Sequence, residues 1–237
     1  MSMRLHRFYI DNLIPNQEIK LNSKDYSDTV HQIANVFRAK INDDFIFFNC
    51  LDSYDYVYTL VNIDKKELQF VLKDKIEKKT NKGQGRNIVL CQSIIKKDNF
   101  ELVVRQMVEA GVSSVIPMLT DRSEKKLLNI DRLEKIIVEA TEQSGRNDII
   151  KLEKTLKIED ILSRAGEKIV FDTIENSDVV KENTKSSDLY IFVGPEGGWT
   201  DEEKKLFVKN DFIFKILPTY TLRAETAAIS AVIYMLK

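Results

Sequence analysis

The sequence of 237 residues predicts an α/β protein in two parts, a small β barrel or sandwich followed by a larger, mostly parallel sheet with flanking helices. Short β-branched and aromatic runs recur up to residue 72, as in small β domains. After residue 86, apolar runs of strand length alternate with amphipathic helical segments, which is typical of a parallel sheet. The stretch between them, "KDKIEKKTNKGQGR" (73–86), is polar and lysine-rich, so it predicts a basic linker. We therefore expect domains at 1–72 and 73–237.

The first part is predicted to hold four strands and one helix. The strands are 5–10, 45–50, 56–63 and 68–72. The stretch "SDTVHQIANVFRAKI" (27–41) places Val30, Ala34 and Phe37 at helical spacing, which predicts the helix.

The second part is predicted to alternate strands and helices to its end. The strands are 87–93, 112–118, 168–173, 188–194 and 212–217, and the helices are 98–111, 130–144, one that begins after Thr200, and 223–237. Gly111 stands where a left-handed glycine commonly ends a helix. The continuous apolar run "LYIFV" predicts a strand that is buried on both faces.

Charge and cysteine content limit the function classes. Lys and Arg number 36 against 37 Asp and Glu, so any nucleic acid must be met by a local patch rather than by net charge. Cys50 and Cys91 form no metal-ligand spacing, which favours a reducing compartment, the cytoplasm, and predicts no metal site. The start "MSMRLHRFYI" is too charged for a signal peptide, and no apolar run approaches the length of a membrane span, so we expect no membrane partner.

The stretch "VGPEGGWTDEE" (193–203) holds three of the eight glycines within five residues. Such a cluster indicates positive φ or a close backbone approach, and we expect a positive φ at Gly197. "TDEE" predicts a capping box with Thr200 as N-cap and Glu203 at N3. The loop follows a buried strand at the sheet edge where open α/β sheets bind ligands, although Glu196 would repel an anion. A tight turn without a ligand is the alternative.

Two further loops contain candidate residues. In "LPTYTLRAETAA" (217–228), Arg223 and Glu225 open the last helix. The helix dipole favours Glu there but not Arg. Arg223 therefore has two interpretations: a functional residue, or an ordinary solvated side chain. In "EATEQSGRN" (139–147), Gly145 is placed as the C-cap of an amphipathic helix, which predicts an ordinary helix end.

The motifs "EQSGR", "GPEGGWTDEE" and "LRAETAA", in this order, resemble the three motifs of the SPOUT superfamily of S-adenosylmethionine-dependent RNA methyltransferases. Within it the chain is most similar to the ribosomal RNA small subunit methyltransferase E family. "MRLHRFYI", "HQIANVFR" (31–38) and "IPMLTDRS" (116–123) extend the resemblance over the whole chain. It implies a PUA-like RNA-binding β barrel followed by a trefoil-knotted, mostly parallel α/β domain that forms a homodimer.

The resemblance also implies an activity: methylation of uridine N3 in 16S small-subunit ribosomal RNA within the assembled subunit, with S-adenosylmethionine and without a metal. The alternatives are a SPOUT methyltransferase that acts on tRNA or on a ribose 2′-OH, and a non-catalytic RNA-binding factor in ribosome assembly. Pro218 departs from the family pattern, which commonly has glycine at that position.

The site residues follow from the same resemblance. For catalysis it implies Arg223 near the reacting base, Glu225 to orient it, and Arg146, which enters the pocket from its own or the other subunit. The implied cofactor contacts are Val193, Gly194, Pro195, Glu196, Gly197, Gly198, Leu217, Leu222, Thr226 and Ala227. The implied RNA contacts are Arg4, His6, Arg7, His31, Arg38 and Arg122, together with the basic stretch 73–86.

Overall fold

The computed structural model describes residues 5–64, 66–78, 86–124, 127–173 and 186–236. It divides into two compact units: an N-terminal unit of Met1–Asn81 with Thr141–Asp148, and a C-terminal unit of Lys82–Ala140 with Ile149–Lys237. The expected boundary at residue 72 falls inside a strand that continues to Glu77.

The N-terminal unit is built on one five-stranded sheet, which matches the predicted barrel rather than a sandwich. Its elements are β1 (Arg7–Tyr9), β2 (Glu18–Asn22), α1 (Ser27–His31), β3 (Asp44–Phe48), β4 (Tyr54–Ile63) and β5 (Glu67–Glu77). The strand order is β1-β3-β4-β5-β2; β1 pairs with β3 in parallel and the other pairs are antiparallel. The sequence analysis missed β2, an edge strand with charged residues at its exposed positions.

Aromatic side chains fill the core of this unit. Phe47 packs edge-on against Phe70 and lies 5.7 Å from the ring of Tyr58, whose hydroxyl donates to the Asn16 carbonyl at 2.8 Å. The register between β4 and β5 shifts at two points, between Val57 and Tyr58 and between Leu60 and Asn62. The helix is shorter than predicted: α1 continues as a π turn over Gln32–Val36 and ends there.

The C-terminal unit is built on a sheet in which every strand pair is parallel, as predicted. Its elements are β6 (Asn87–Ser93), α2 (Lys97–Ala110), β7 (Ser114–Leu119), α3 (Ile130–Ser144), β8 (Lys151–Leu152), β9 (Leu156–Lys157), α4 (Ile158–Leu162), β10 (Glu167–Phe171), β11 (Asp188–Val193), α5 (Asp201–Lys209), β12 (Ile213–Lys215) and α6 (Ala224–Met235). The order is β12-β10-β11-β6-β7-β8, and β9 also pairs with β7. The last turn of α3, from Thr141, is grouped with the N-terminal unit.

Helices cover both faces of this sheet, and alternate strand residues face each layer. Leu90 and Ile191 lie in the core cluster that contains residues of α2, α3 and α6. Cys91 and Phe192 lie in the second cluster, with residues of α4 and α5. The "LYIFV" strand is therefore buried on both faces, as predicted.

The helix ends follow the predicted caps. Gly111 has φ +87° and closes α2, and Thr200 forms the capping box with Glu203. The elements β8, β9 and α4 are too short for their periodicity to be read in the sequence. Over the described residues, no helix is long and apolar enough to cross a membrane.

Candidate functional site

The candidate site lies at the carboxyl ends of the adjacent strands β11, β6 and β7. The chain leaves β6 towards β7 through α2, whereas β11 flanks β6 on its other side. The loops that follow β7 and β11 therefore meet beyond the end of β6. Open α/β sheets bind ligands at such an edge.

The glycine loop, residues 194–200, follows β11. A Cβ atom at Gly194 would lie 3.1 Å from the Trp199 ring, and one at Gly197 would lie 3.2 Å from Cδ of Arg122. Gly198 has φ +69° and open space around it. The expectation of a positive φ at Gly197 was therefore wrong: Gly198 has that conformation, whereas Gly197 is distinguished by its close approach to Arg122.

The turn after β7 braces the glycine loop. Arg122 Nη1 donates to the carbonyl of Gly197 at 2.7 Å and to that of Trp199 at 3.4 Å. The amide of Asp121 donates to Glu203 Oε1 at 3.0 Å, and the hydroxyl of Thr200 donates to Asp121 Oδ2 at 3.2 Å. Arg122, predicted as an RNA contact, thus holds the loop in shape, although its side chain stays exposed.

Trp199 anchors the same loop to β10 and α5, and it is not among the site residues predicted from the sequence. Its indole Nε1 donates to the carbonyl of Phe171, at the end of β10, at 2.9 Å. Its ring packs edge-on against Phe207 of α5 with centroids 4.9 Å apart. The signal was present in the sequence, since this is the one tryptophan in the chain and it directly follows the glycines.

The third loop, residues 216–223, follows β12 and leads into α6, which packs against β6 and β11. Arg223 occupies the N-cap of α6, and its carbonyl accepts from the Ala227 amide at 2.8 Å. It is exposed, and its side chain has no hydrogen-bond or ion-pair partner among the described residues. Glu225 lies in the first turn and is only 8% exposed. The helix N-terminus favours its negative charge.

The predicted cofactor contacts differ in exposure. Val193 and Pro195 are buried, Gly194, Gly198, Leu217, Leu222 and Ala227 are half-buried, and Glu196, Gly197 and Thr226 are exposed. Val193 ends β11, and the others belong to the glycine loop, the third loop or the first turns of α6.

Buried polar atoms without partners gather at this edge of the sheet. Gln92 and Ser93, at the end of β6, are fully buried, yet Gln92 Oε1 and Ser93 Oγ have no partner. The same holds for Thr120 Oγ1, directly after β7, and for Glu225 Oε2. Gln92 shares the strand face of Leu90, which is the face that α6 covers. Because buried polar groups are normally satisfied, this edge is suited to a polar bound group: Gln92 Oε1 and Glu225 Oε2 accept hydrogen bonds, and the two hydroxyls donate or accept.

The "EQSGR" segment is held in the N-terminal unit. Gly145 has φ +77° after the end of α3, which confirms the predicted cap. Arg146 forms a two-pronged ion pair with Asp148, with nitrogen–oxygen distances of 2.9 and 2.7 Å. Arg146 is thus grouped with the barrel, whereas Arg223 and Glu225 belong to the C-terminal unit.

The predicted RNA contacts of the barrel separate into surface and interior residues. The exposed His6 ring stacks on Phe37 with centroids 3.8 Å apart. The exposed His31 pairs its Nδ1 with the Asn35 amide at 3.1 Å, and Arg38 is exposed with φ +53°.

Arg7 requires a correction, because its side chain is 7% exposed and pairs with Asp55 inside the unit. It is therefore not available at the surface to bind RNA. Arg4 and residues 79–85 of the basic stretch lie outside the described residues. No three His, Cys, Asp or Glu side chains in the described ranges group as a metal site.

Comparisons with known proteins place this architecture in a family. Residues 81–236 match the family model of the RNA methyltransferase domain. The chain is 33% identical over 237 residues to a ribosomal RNA small subunit methyltransferase E of Rickettsia conorii, covering 97% of this chain and 94% of the relative. It is 29% identical to that of Bacillus subtilis, covering 87% and 88%.

Solved structures of other proteins match this chain over nearly its full length. A ribosomal RNA small subunit methyltransferase E from Neisseria gonorrhoeae bound to S-adenosylmethionine has a TM-score of 0.79 at 25% identity, covering 98% of this chain and 97% of that one. A putative methyltransferase from Legionella pneumophila, also bound to S-adenosylmethionine, has a TM-score of 0.81 at 26% identity, covering 99% and 97%. This chain is an enzyme that belongs to the RNA methyltransferase domain family and, within it, to the ribosomal RNA small subunit methyltransferase E family.

Proposed function

We propose that this enzyme transfers the methyl group of S-adenosylmethionine to N3 of a uridine in 16S small-subunit ribosomal RNA, within the assembled subunit and in the cytoplasm. The observation that carries the proposal is the braced glycine loop beside buried, unpartnered polar atoms at the carboxyl edge of the sheet. The relatives' names, which refer to small-subunit ribosomal RNA, supply the substrate class. A trefoil knot of the C-terminal domain is part of the proposal.

The residues at the site suit S-adenosylmethionine. Gln92 Oε1 and Glu225 Oε2 are buried acceptors, which match the amino groups and the positive charge of this molecule. The exposed Glu196 also suits a cation better than a phosphate. Residues 193–198, Leu217, Leu222, Thr226 and Ala227 would hold it, with main-chain groups of the loops as partners.

Methyl transfer requires an aligned donor and an acceptor that loses a proton. When bound, S-adenosylmethionine supplies an electrophilic methyl group on its sulfonium, and displacement at that carbon needs no metal. Arg223 offers a guanidinium to the negative charge that develops on the uracil oxygens. Glu225, held in the first turn of α6, orients Arg223 and the base or accepts the N3 proton. Arg146 completes the set from its own or the partner subunit.

RNA binding is assigned mainly to exposed residues of the barrel. The stacked pair His6 and Phe37 offers aromatic faces to unpaired bases, and His31 and Arg38 of the same unit offer polar or charged groups. Arg122, in the C-terminal unit, adds a charged group beside the glycine loop. With a net charge of about −1, nonspecific attraction to abundant RNA is small, so recognition depends on this local surface.

The first prediction tests the cofactor site. The wild type binds S-adenosylmethionine in calorimetry with a chelator present, and Gly197→Val weakens binding at least about tenfold, because its side chain displaces Arg122 from the loop. Gly111→Val is the control: its φ of +87° makes the change cost about 1–2 kcal/mol of stability without affecting binding. Undetectable wild-type binding at millimolar ligand would refute the proposal.

The second prediction concerns Arg223. Arg223→Ala lowers turnover by about 10²–10³-fold, as expected when a group that stabilises developing charge is lost. Binding of S-adenosylmethionine and RNA stays within about threefold of the wild type. Arg132→Ala, which removes an exposed arginine of α3 that pairs with Glu101, is the matched control and retains turnover. Equal turnover of the Arg223→Ala and Arg132→Ala variants would exclude the role of Arg223.

The third prediction concerns the homodimer. The inner face of α6 is buried through Ala228, Ala231 and Val232, while Ile233 and Tyr234 remain 46% and 40% exposed. We expect a dimer at micromolar concentration by sedimentation, and Ile233→Glu shifts it towards monomer. Val208→Glu, on the exposed side of α5, leaves the dimer intact. A monomeric wild type would overturn this part of the proposal.

The fourth prediction tests the substrate. Radiolabelled methyl groups enter small subunits from a strain that lacks the enzyme, and nucleoside analysis yields 3-methyluridine. Naked RNA is a much poorer acceptor, because recognition through shape requires the folded RNA. A 2′-O-methyl product, or tRNA as the preferred acceptor, would replace the proposed reaction by one of its alternatives. No transfer to any RNA would indicate a non-catalytic factor.

A further inference from the structure

Arg7 makes contacts that neither RNA binding nor the reaction accounts for. Its Nη2 lies 2.9 Å from Asp55 Oδ1, and its Nε donates to both Asp55 oxygens at 3.0 and 3.1 Å. The guanidinium carbon lies 3.4 Å from the centroid of the Phe48 ring. Its donors also reach residues 141–147, the segment that contains "EQSGR": Nη1 donates to the Thr141 carbonyl at 3.2 Å and Nη2 to Asn147 Oδ1 at 3.5 Å.

Lys78 makes a second connection to the same segment. Its Nζ donates to the carbonyl of Gly145 and lies 3.5 Å from Asp55 Oδ2. Asp55, 9% exposed, therefore sits between two cations, and each cation also bonds a different point of the segment. Burial, and next the charge of Arg7, lower the pKa of Lys78.

A third connection comes from the main chain of β1. The amide of Tyr9 donates to Glu142 Oε1 at 2.8 Å. The segment is thus held at Thr141, Glu142, Gly145 and Asn147, on both sides of Arg146. A residue whose chain neighbours are bonded on both sides has few backbone conformations left.

We infer that Arg7, Asp55 and Lys78 form a clamp that positions Arg146 for methyl transfer. The barrel then has a second task besides RNA binding, because its interior fixes the loop that bears a residue of the active site. This inference rests on the proposed function, in which Arg146 acts on the substrate. The three clamp residues are positioning residues, since Arg7 and Lys78 bond the segment and Asp55 holds both of these cations.

The test uses the full-length enzyme with Lys78→Met and Arg7→Lys. Both variants lower kcat at least about tenfold, since a misplaced group costs rate even when it is present. KM for small subunits and the affinity for S-adenosylmethionine change less than about threefold. Lys78→Arg, which keeps a donor and the charge, restores most of kcat. Hydrogen exchange of residues 142–148 accelerates in Lys78→Met and Arg7→Lys only.

Lys20→Met is the matched control. Lys20 lies on β2 of the same unit, has a side chain that is 60% exposed, and places its Nζ 3.6 Å from Glu67 Oε1. The substitution removes the same charge from the same unit but leaves the clamp intact. It keeps the wild-type kcat and hydrogen exchange. A loss of kcat in Lys20→Met equal to that in Lys78→Met would show a general charge effect and overturn the clamp.

A double variant separates the clamp from the proposed role of Arg146. If Lys78 acts through Arg146, Lys78→Met costs no further kcat in an Arg146→Ala background. A full additional loss there overturns the inference. If Arg146→Ala alone keeps wild-type kcat, the assumed role of Arg146 fails, and with it the clamp as a catalytic device. If Arg146→Ala lowers kcat while Lys78→Met and Arg7→Lys do not, the role of Arg146 stands and only the inference of the clamp is wrong.

Discussion

The close packing of Gly194 and Gly197 against large side chains is the constraint on which the candidate site depends. A Cβ atom at either position would lie 3.1–3.2 Å from Trp199 or Arg122 atoms, so a larger residue would push these side chains aside by a few tenths of an ångström. That approach lets Arg122 bond two loop carbonyls and lets the Trp199 indole reach the end of β10. The Arg122 side chain and the Phe171 carbonyl, from two other strand ends, thus set the loop before a ligand arrives. A reaction that depends on alignment benefits from such preorganisation.

Much of the fold could be predicted from the sequence, because its signals are local. The β6 run matches Asn87–Ser93, α3 matches Ile130–Ser144, and the caps at Gly111 and Thr200 need only neighbouring residues. The strand order could not be derived, since β11 pairs between β6 and β10 through contacts that no periodicity encodes. The trefoil knot is an expectation that rests on the resemblance alone.

The sequence allowed the loops of the candidate site to be predicted, but not the contacts between their side chains. The sequence showed that residues near 194–198 need glycine, but the reason for each glycine depends on Trp199, Arg122 and the local φ. Arg7 was predicted as an RNA contact because the stretch that contains it, "MRLHRFYI", resembles the start of the family's sequences. Its partner Asp55 lies 48 residues away along the chain, so sequence spacing gave no sign of the buried pair.

The clamp illustrates why a costly interaction can persist in a small barrel. Two cations and one carboxylate lose hydration on burial. A protein in which apolar side chains of similar volume replace such charges is often no less stable. An apolar side chain, however, could not satisfy the main-chain carbonyls of Thr141 and Gly145, which need donors. Arg7 has five donors in one plane, enough to bind Asp55 and the segment together. Geometric control of the loop around Arg146, rather than stability, therefore accounts for this buried charge cluster.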